Sequence, residues 1–238
     1  MNTKPVFTKV ILFFLIALFF NSKLLAQEHK PSPKTIPPQI ISLTYYFDTR
    51  DYNTLKINTS GNLPYGFHLF GFVDIHSEQN NPKERFDLTR YFFEYRLSYS
   101  INPDWIFSLS GLRLNIEYND ANSLENNVIR AGLSYRKHLQ FLNRSWIELR
   151  YFPYESDNSG TQVCISALIR LSKKIYINGF ADMNIDRDAK NRWITKPQIN
   201  FALNKTFELA FKYRYNGYQE EKPGLDGSGF AFGLRLKL

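Results

Sequence analysis

The sequence predicts an all-β fold, a single transmembrane antiparallel β-barrel of about 12 strands. Three observations predict it. Beyond its N-terminus the chain runs through segment after segment in which large apolar and polar residues alternate with period two, and no amphipathic helix interrupts them. Tight turns and longer polar links separate those segments in alternation. The chain stops on such a segment, GSGFAFGLRLKL, in which Phe230, Phe232, Leu234, Leu236 and Leu238 oppose Ala231, Gly233, Arg235 and Lys237.

The first residues set the compartment. Lys4 and Lys9 precede the apolar run Val10 to Phe20, which is shorter than the ~20 residues a spanning helix needs, and Ala26 follows as a small residue. This order reads as a secretory signal peptide over 1–26. No cysteine stands near the cleavage region, so a lipid-anchored product is not expected. Removing 1–26 takes away Lys4, Lys9 and Lys23 and no carboxylate, and the formal charge of +8 falls by three to +5. Lys and Arg are spread along the chain rather than clustered, which excludes a nucleic-acid partner. The single cysteine, Cys164, allows no internal disulfide. Residues 27–39, QEHKPSPKTIPPQ, form a polar, Pro-rich leader, and the barrel occupies 40–238. Aromatics at 16% are abundant while mean hydropathy is only −0.37, as expected when strands are apolar on one face alone.

The strands follow in order. Those over 40–48 and 53–59 leave the leader, and 65–76 carries His68, Phe70, Phe72 and His76 on one parity. The clearest is 89–101, where Tyr91, Phe93, Tyr95, Leu97, Tyr99 and Ile101 oppose Arg90, Phe92, Glu94, Arg96, Ser98 and Ser100. In 104–118 the phase slips at Gly111, the mark of a bulge. Strands 127–138 and 145–154 bring Arg130, Arg136, Glu148 and Arg150 to the polar face. In 161–172, Val163, Ile165, Ala167, Ile169 and Leu171 oppose Gln162, Cys164, Ser166 and Arg170. Strand 174–185 repeats the alternation less sharply, and 193–203 contains Lys196 and Gln198. In 206–217, Phe207, Leu209, Phe211, Tyr213 and Tyr215 oppose Glu208, Lys212 and Arg214, and 228–238 closes the chain. INPD, SKK and LNKT are tight periplasmic turns; SEQNNPKERFD, NDANSLEN, DRDAKNR and GYQEEKPGLDG are longer extracellular loops.

The polar face carries many mid-strand charges, including Arg90, Glu94, Arg96, Asp182, Lys212 and Arg214. A soluble β-protein would solvate them. A membrane barrel turns the aromatic face to lipid and these groups to the lumen, and the abundant Tyr and Phe favour that inversion. A lumen richer in Arg and Lys than in carboxylates favours anions and neutral polar solutes over cations. Phe70, Phe72, Phe92, Phe152, Tyr176 and Phe180 share the lumenal parity, where they either pack the interior or stack planar solutes.

Catalysis finds little support. The histidines are scattered, adjacent strand residues such as His76 and Ser77 point to opposite faces, and no metal-ligand cluster, phosphate-cradling loop or nucleophile elbow is present. The expectation is a channel that is not an enzyme, with no catalytic residue, metal or cofactor. A lipid-acting barrel enzyme and a closed structural barrel are the alternatives.

A resemblance sharpens this expectation. GFVDIHS (71–77), FFEYRLS (92–98), IEYND (116–120), GFADMN (179–184), TKPQINF (195–201) and KYRYN (212–216) resemble, in their order, the nucleoside-specific channel-forming outer-membrane porins (Tsx-like). That resemblance implies a monomeric twelve-stranded barrel that passes nucleosides, with Phe72, Asp74, Glu94, Phe180, Asp182 and Gln198 at matching positions. With the lumenal cations Arg90, Arg96 and Arg214 they form the expected pore lining. The implied partners are small solutes, outer-membrane lipids and the barrel assembly machinery, for which Gly233, Leu236 and Leu238 resemble the terminal recognition pattern.

Overall fold

The computed structural model describes residues 36–79, 90–101, 111–121, 127–156, 160–186, 191–217 and 227–238. The signal peptide, most of the leader and most of the four longer links lie outside the described residues. The elements are β1 (Ile36–Asp48), β2 (Tyr52–Asn62), β3 (Phe67–Glu78), β4 (Arg90–Ser100), β5 (Leu112–Ala121), β6 (Val128–Leu139) and β7 (Ser145–Glu155). They continue as β8 (Gly160–Arg170), β9 (Ile175–Asp186), β10 (Arg192–Thr195), β11 (Gln198–Ala202), β12 (Phe207–Asn216) and β13 (Gly227–Lys237). Apart from β10 and β11, which do not pair with each other, neighbouring strands in the chain pair antiparallel, and β13 pairs with both β12 and β1, so the sheet closes on itself.

β10 and β11 are two halves of one spanning strand, because both pair with β9 and with β12. Pro197 has no N–H to give the ladder, which is why the strand breaks there. The Lys196 amide and the Pro197 carbonyl still bond to Phe180 and Tyr213, at 2.9 and 3.0 Å. Counting the halves as one gives the twelve strands the sequence predicts, each matching a predicted span. Three ends move by more than two residues: β1 starts at Ile36 rather than 40, β2 ends at Asn62 rather than 59, and β5 ends at Ala121 rather than 118. Residues 102–104 of the INPD turn lie outside the described residues, whereas Gly111, where the phase slip is predicted, takes φ +120° immediately before β5 and its carbonyl accepts from the Arg136 amide at 3.0 Å.

A bulge in β7 matters more for the interior. Ala131 pairs with Tyr154 but Leu133 with Tyr151, so Gly132 faces one extra residue. A Cβ on Gly132 would lie 2.0 Å from the Tyr151 carbonyl oxygen, and glycine alone fits that approach. The extra residue reverses the strand's parity. Glu148, Arg150 and Phe152 turn inward before it, and Glu155 turns inward after it.

The unbroken strands are 10 to 13 residues long, which with tilt spans the ~25 Å apolar band of a membrane barrel. The outward face is apolar: Phe47, Tyr151, Ile165, Phe211, Phe230, Phe232 and Leu234 are all exposed. The inward face holds the buried charges and amides. An aromatic outside around a charged inside is the inversion expected of a barrel in lipid. The tight turns at 171–174 and 203–206 share a rim with the start of β1 and with Leu238, whereas the three-residue connection 49–51 lies on the opposite rim.

Candidate functional site: the charged lumen

Cross-strand register builds one wall of the lumen. Arg96 lies opposite Glu117, Glu117 opposite Arg130, and Arg130 opposite Glu155, so alternating charges run across β4 to β7 at one height. Arg96 donates to Glu117 at 2.8 and 2.9 Å and to Glu94 at 2.5 Å. Arg130 donates to Glu117 at 3.1 Å and to Glu155. A second run pairs Glu148 with Arg136 at 2.6 Å and with Arg150 at 3.3 Å. Arg150 also points an Nη2 donor at the Cys164 sulfur, 2.5 Å away, and Asp182 lies opposite Cys164 in the ladder. Glu117, Glu148 and Glu155 are buried, and such groups persist in an interior only when paired and hydrogen-bonded.

The facing wall differs. Tyr46 on β1 is fully buried and lies across Gly233, whose missing Cβ leaves room for its ring, with Ala210 and Ala231 beside it. Its hydroxyl reaches over β13 and β12 to donate to Gln198 Oε1 at 2.8 Å. Lys212 Nζ sits 4.0 Å from the Tyr46 ring centroid, and the Arg214 guanidinium 5.2 Å from it. Lys56 pairs with Asp74 at 2.9 Å and lies 3.2 Å from the Phe72 ring centroid. Arg214 pairs with Asp48 at 3.0 Å, an acid that also holds Arg50. Lys196, released at the Pro197 break, lies 5.6 Å from the Phe180 ring centroid. At the rim, Glu208 gathers Arg235, Lys237 and the Tyr176 hydroxyl.

The predicted residues therefore separate into two groups. Phe72, Asp74, Phe180, Gln198 and Arg214 line the basic, aromatic wall. Glu94 and Arg96 belong to the Arg–Glu run, and Asp182 faces Cys164 beside it with one oxygen that finds no hydrogen-bond partner. Arg90 occupies the first position of β4, opposite His76, and its side chain lies outside the described residues. Phe70, Phe72 and Phe92 form a lumenal aromatic row with centroids 6.5 and 5.8 Å apart. Sequence reasoning missed Tyr46, Lys56 and Glu155. Parity alone would have found the first two, whereas Glu155 is inward only because of the β7 bulge.

His76, at the end of β3, is buried, and its Nδ1 lies 3.0 Å from the Thr54 hydroxyl. His68 similarly meets Ser60 at 3.1 Å. Among the described residues neither of these two histidines is hydrogen-bonded to a carboxylate, so neither sits in a Ser–His–acid arrangement.

These features define a class: a twelve-stranded transmembrane β-barrel with a charged, aromatic lumen. Solved structures with the same fold include the KdgM porin in complex with disordered oligogalacturonate, at TM-score 0.54 and 13% identity over 84% of this chain and 99% of that one. The NanC porin matches at TM-score 0.56 and 10% identity, over 83% of this chain and 100% of that one. Outer membrane phospholipase A from Escherichia coli matches at TM-score 0.55 and 14% identity, over 89% of this chain and 95% of that one. The sequence matches no protein-family model and no curated protein sequence. At these identities the likeness is one of fold, and the same fold serves both porins and a phospholipase.

Proposed function

We propose that this protein is a bacterial outer-membrane channel, acting as a monomer, for passive diffusion of small polar solutes, without catalytic activity. One observation carries the reading: the interior is lined by fixed charges and amides from nearly every strand, with more cations than carboxylates on the wall formed by β12 and its neighbours. A lumen of that sign favours anions and neutral solutes. Nucleosides, implied by the sequence resemblance, are the first solutes to test, because Phe72 and Phe180 stand beside Asp74, Asp182 and Gln198 on the lumenal face. Planar-bilayer recording under a potassium chloride gradient should give a reversal potential of anion-selective sign. Liposome swelling should be faster with nucleosides than with sugars of similar size. A non-conducting protein would end the channel reading, and equal swelling rates would end the nucleoside reading alone.

The extent of lumenal burial favours one alternative, a closed structural barrel. Tyr46, Phe152 and Asn200 each show 0% exposure although they point inward. A twelve-stranded barrel lies between eight-stranded ones, whose side chains fill the interior, and the wide porins that hold water. Absence of conductance in every salt would favour this reading.

A further inference from the structure

The basic wall holds more charge than it neutralises. Lys56, Lys196, Lys212 and Arg214 all act electrostatically on the Asp74 carboxylate, and Asp74 forms an ion pair only with Lys56 among the described residues. Asp48 answers Arg214 but is shared with Arg50. Lys196 and Lys212 make no ion pair among the described residues; each instead lies over an aromatic ring. Arg214 is only 4% exposed, yet its Nε and Nη2 find no hydrogen-bond acceptor. The Arg–Glu wall solves the same problem differently, since Glu117 and Glu148 each bridge two arginines. Buried cations of like sign repel, and buried donors left unbonded are costly, so a cluster of this kind requires a counter-charge.

We propose that the cluster formed by Lys56, Lys196, Lys212 and Arg214 is a binding site for a small oxyanion, a carboxylate or phosphate group of a solute entering the lumen. The inference deepens the channel reading and rests on it for the solute's route, though not for binding itself. Two features fit an oxyanion in particular. Arg214 offers unused planar donors suited to a second, bidentate acceptor. The lysines are mobile point charges, already held near their rings by cation–π contact, that can turn toward an anion. The Tyr46–Gln198 hydrogen bond braces β1 against β11 behind them and fixes the wall from which three of these cations project. The rings of Phe72 and Tyr46 are covered by ammonium groups at 3.2 and 4.0 Å, so a solute meets positive charge before it meets an aromatic face.

The test is a thermal one on the full chain folded in detergent, following the heat-dependent shift in gel mobility that separates barrel from unfolded chain. Inorganic phosphate and, separately, acetate are titrated against chloride at constant ionic strength. The unfolding midpoint of the wild type should rise saturably with at least one oxyanion, and whichever acts identifies phosphate or carboxylate as the preferred group. Lys212→Gln and Lys196→Gln should each need at least tenfold more oxyanion for the same rise. Without oxyanion, their midpoints should equal or exceed that of the wild type, because a lumenal cation with no ion pair among the described residues has gone. A wild-type midpoint indifferent to both oxyanions overturns the proposal, as does a variant that responds like the wild type. Should one variant fail to fold, the other and the wild-type titration decide. Bilayer recording separates the two readings: oxyanion stabilisation without conductance removes the channel and leaves the site, and conductance without stabilisation removes the site alone.

Discussion

Glu117→Gln is the sharpest perturbation of the Arg–Glu wall. The Glu117 side chain is 3% exposed and accepts from Arg96 and from Arg130, with a further 3.2 Å bond from Asn119. Removing one partner of a buried pair costs about 3–5 kcal/mol, because the opposite charge is stranded. Here two arginines lose a shared partner, but Arg96 keeps Glu94 and Arg130 keeps Glu155. The cost should therefore fall at the lower end, about 3 kcal/mol. Urea unfolding of the barrel in lipid vesicles, followed by tryptophan fluorescence, measures it. With an unfolding slope of about 3 kcal/mol per molar, the midpoint should fall by about 1 M. Glu94→Gln is the control: among the described residues Glu94 forms an ion pair with Arg96 only, and loss of one charge-assisted bond should cost about 1–2 kcal/mol. A Glu117→Gln midpoint within roughly 0.2 M of wild type, or a larger effect from Glu94→Gln, would refute the argument that register-paired charges hold this wall together.

Three further outcomes follow from the same geometry. Gly132→Ala drives a Cβ into the Tyr151 backbone, so folded yield in the gel-mobility assay should drop sharply; Gly71→Ala meets mainly the Tyr95 ring, which can swing toward lipid, and should be better tolerated. Phe211→Arg places a charge in the middle of β12's lipid-facing side and should cost about 2–4 kcal/mol in vesicle unfolding, whereas the same change at an exposed rim residue such as Phe141 should cost less than about 1 kcal/mol. Tyr46→Phe deletes the bond to Gln198 and leaves that amide oxygen short of a donor, a loss of about 1–3 kcal/mol in the same assay.

Much of the fold was legible because a barrel strand obeys one rule, apolar outward and polar inward, with period two. Phe207, Phe211, Phe230, Phe232 and Leu234 followed it, and every predicted span contains a strand. What escaped were departures from that period. Pro197 splits one strand into β10 and β11 without changing the barrel's count, since the flanking backbone bonds bridge the gap. The β7 bulge is invisible in composition. Pro153 and Gly132 lie on different strands, and only their pairing reveals that one extra residue must fit between Tyr151 and Tyr154. Beyond the bulge, parity assigns Glu155 to lipid, where an unpaired carboxylate could not stay; the structure turns it inward to meet Arg130.

The site was legible as a list of lumenal charges but not as a pattern, because pattern depends on which strands face each other. Parity placed Glu94, Arg96 and Arg214 inside with equal weight. Closure of the sheet then sets β5, which carries Glu117, six positions around the ring from β12, which carries Lys212 and Arg214. On the β5 side, carboxylates alternate with arginines in register, and each bridging acid satisfies two of them. On the β12 side the cross-strand partners of the cations are small or neutral: Lys212 lies opposite Gln198 and Ala231, and Arg214 opposite Gly229. Among the described residues, Asp48 pairs with Arg214 and Asp74 with Lys56, while Glu208 at the rim is taken by Arg235 and Lys237. In the proposed channel, a solute inside the barrel would sit in a field directed across the lumen, from a wall of unspent positive charge toward one whose charges are mostly spoken for. In such a field a dipolar or anionic solute is turned as well as held, its negative end toward β12, before any contact specific to its identity is made.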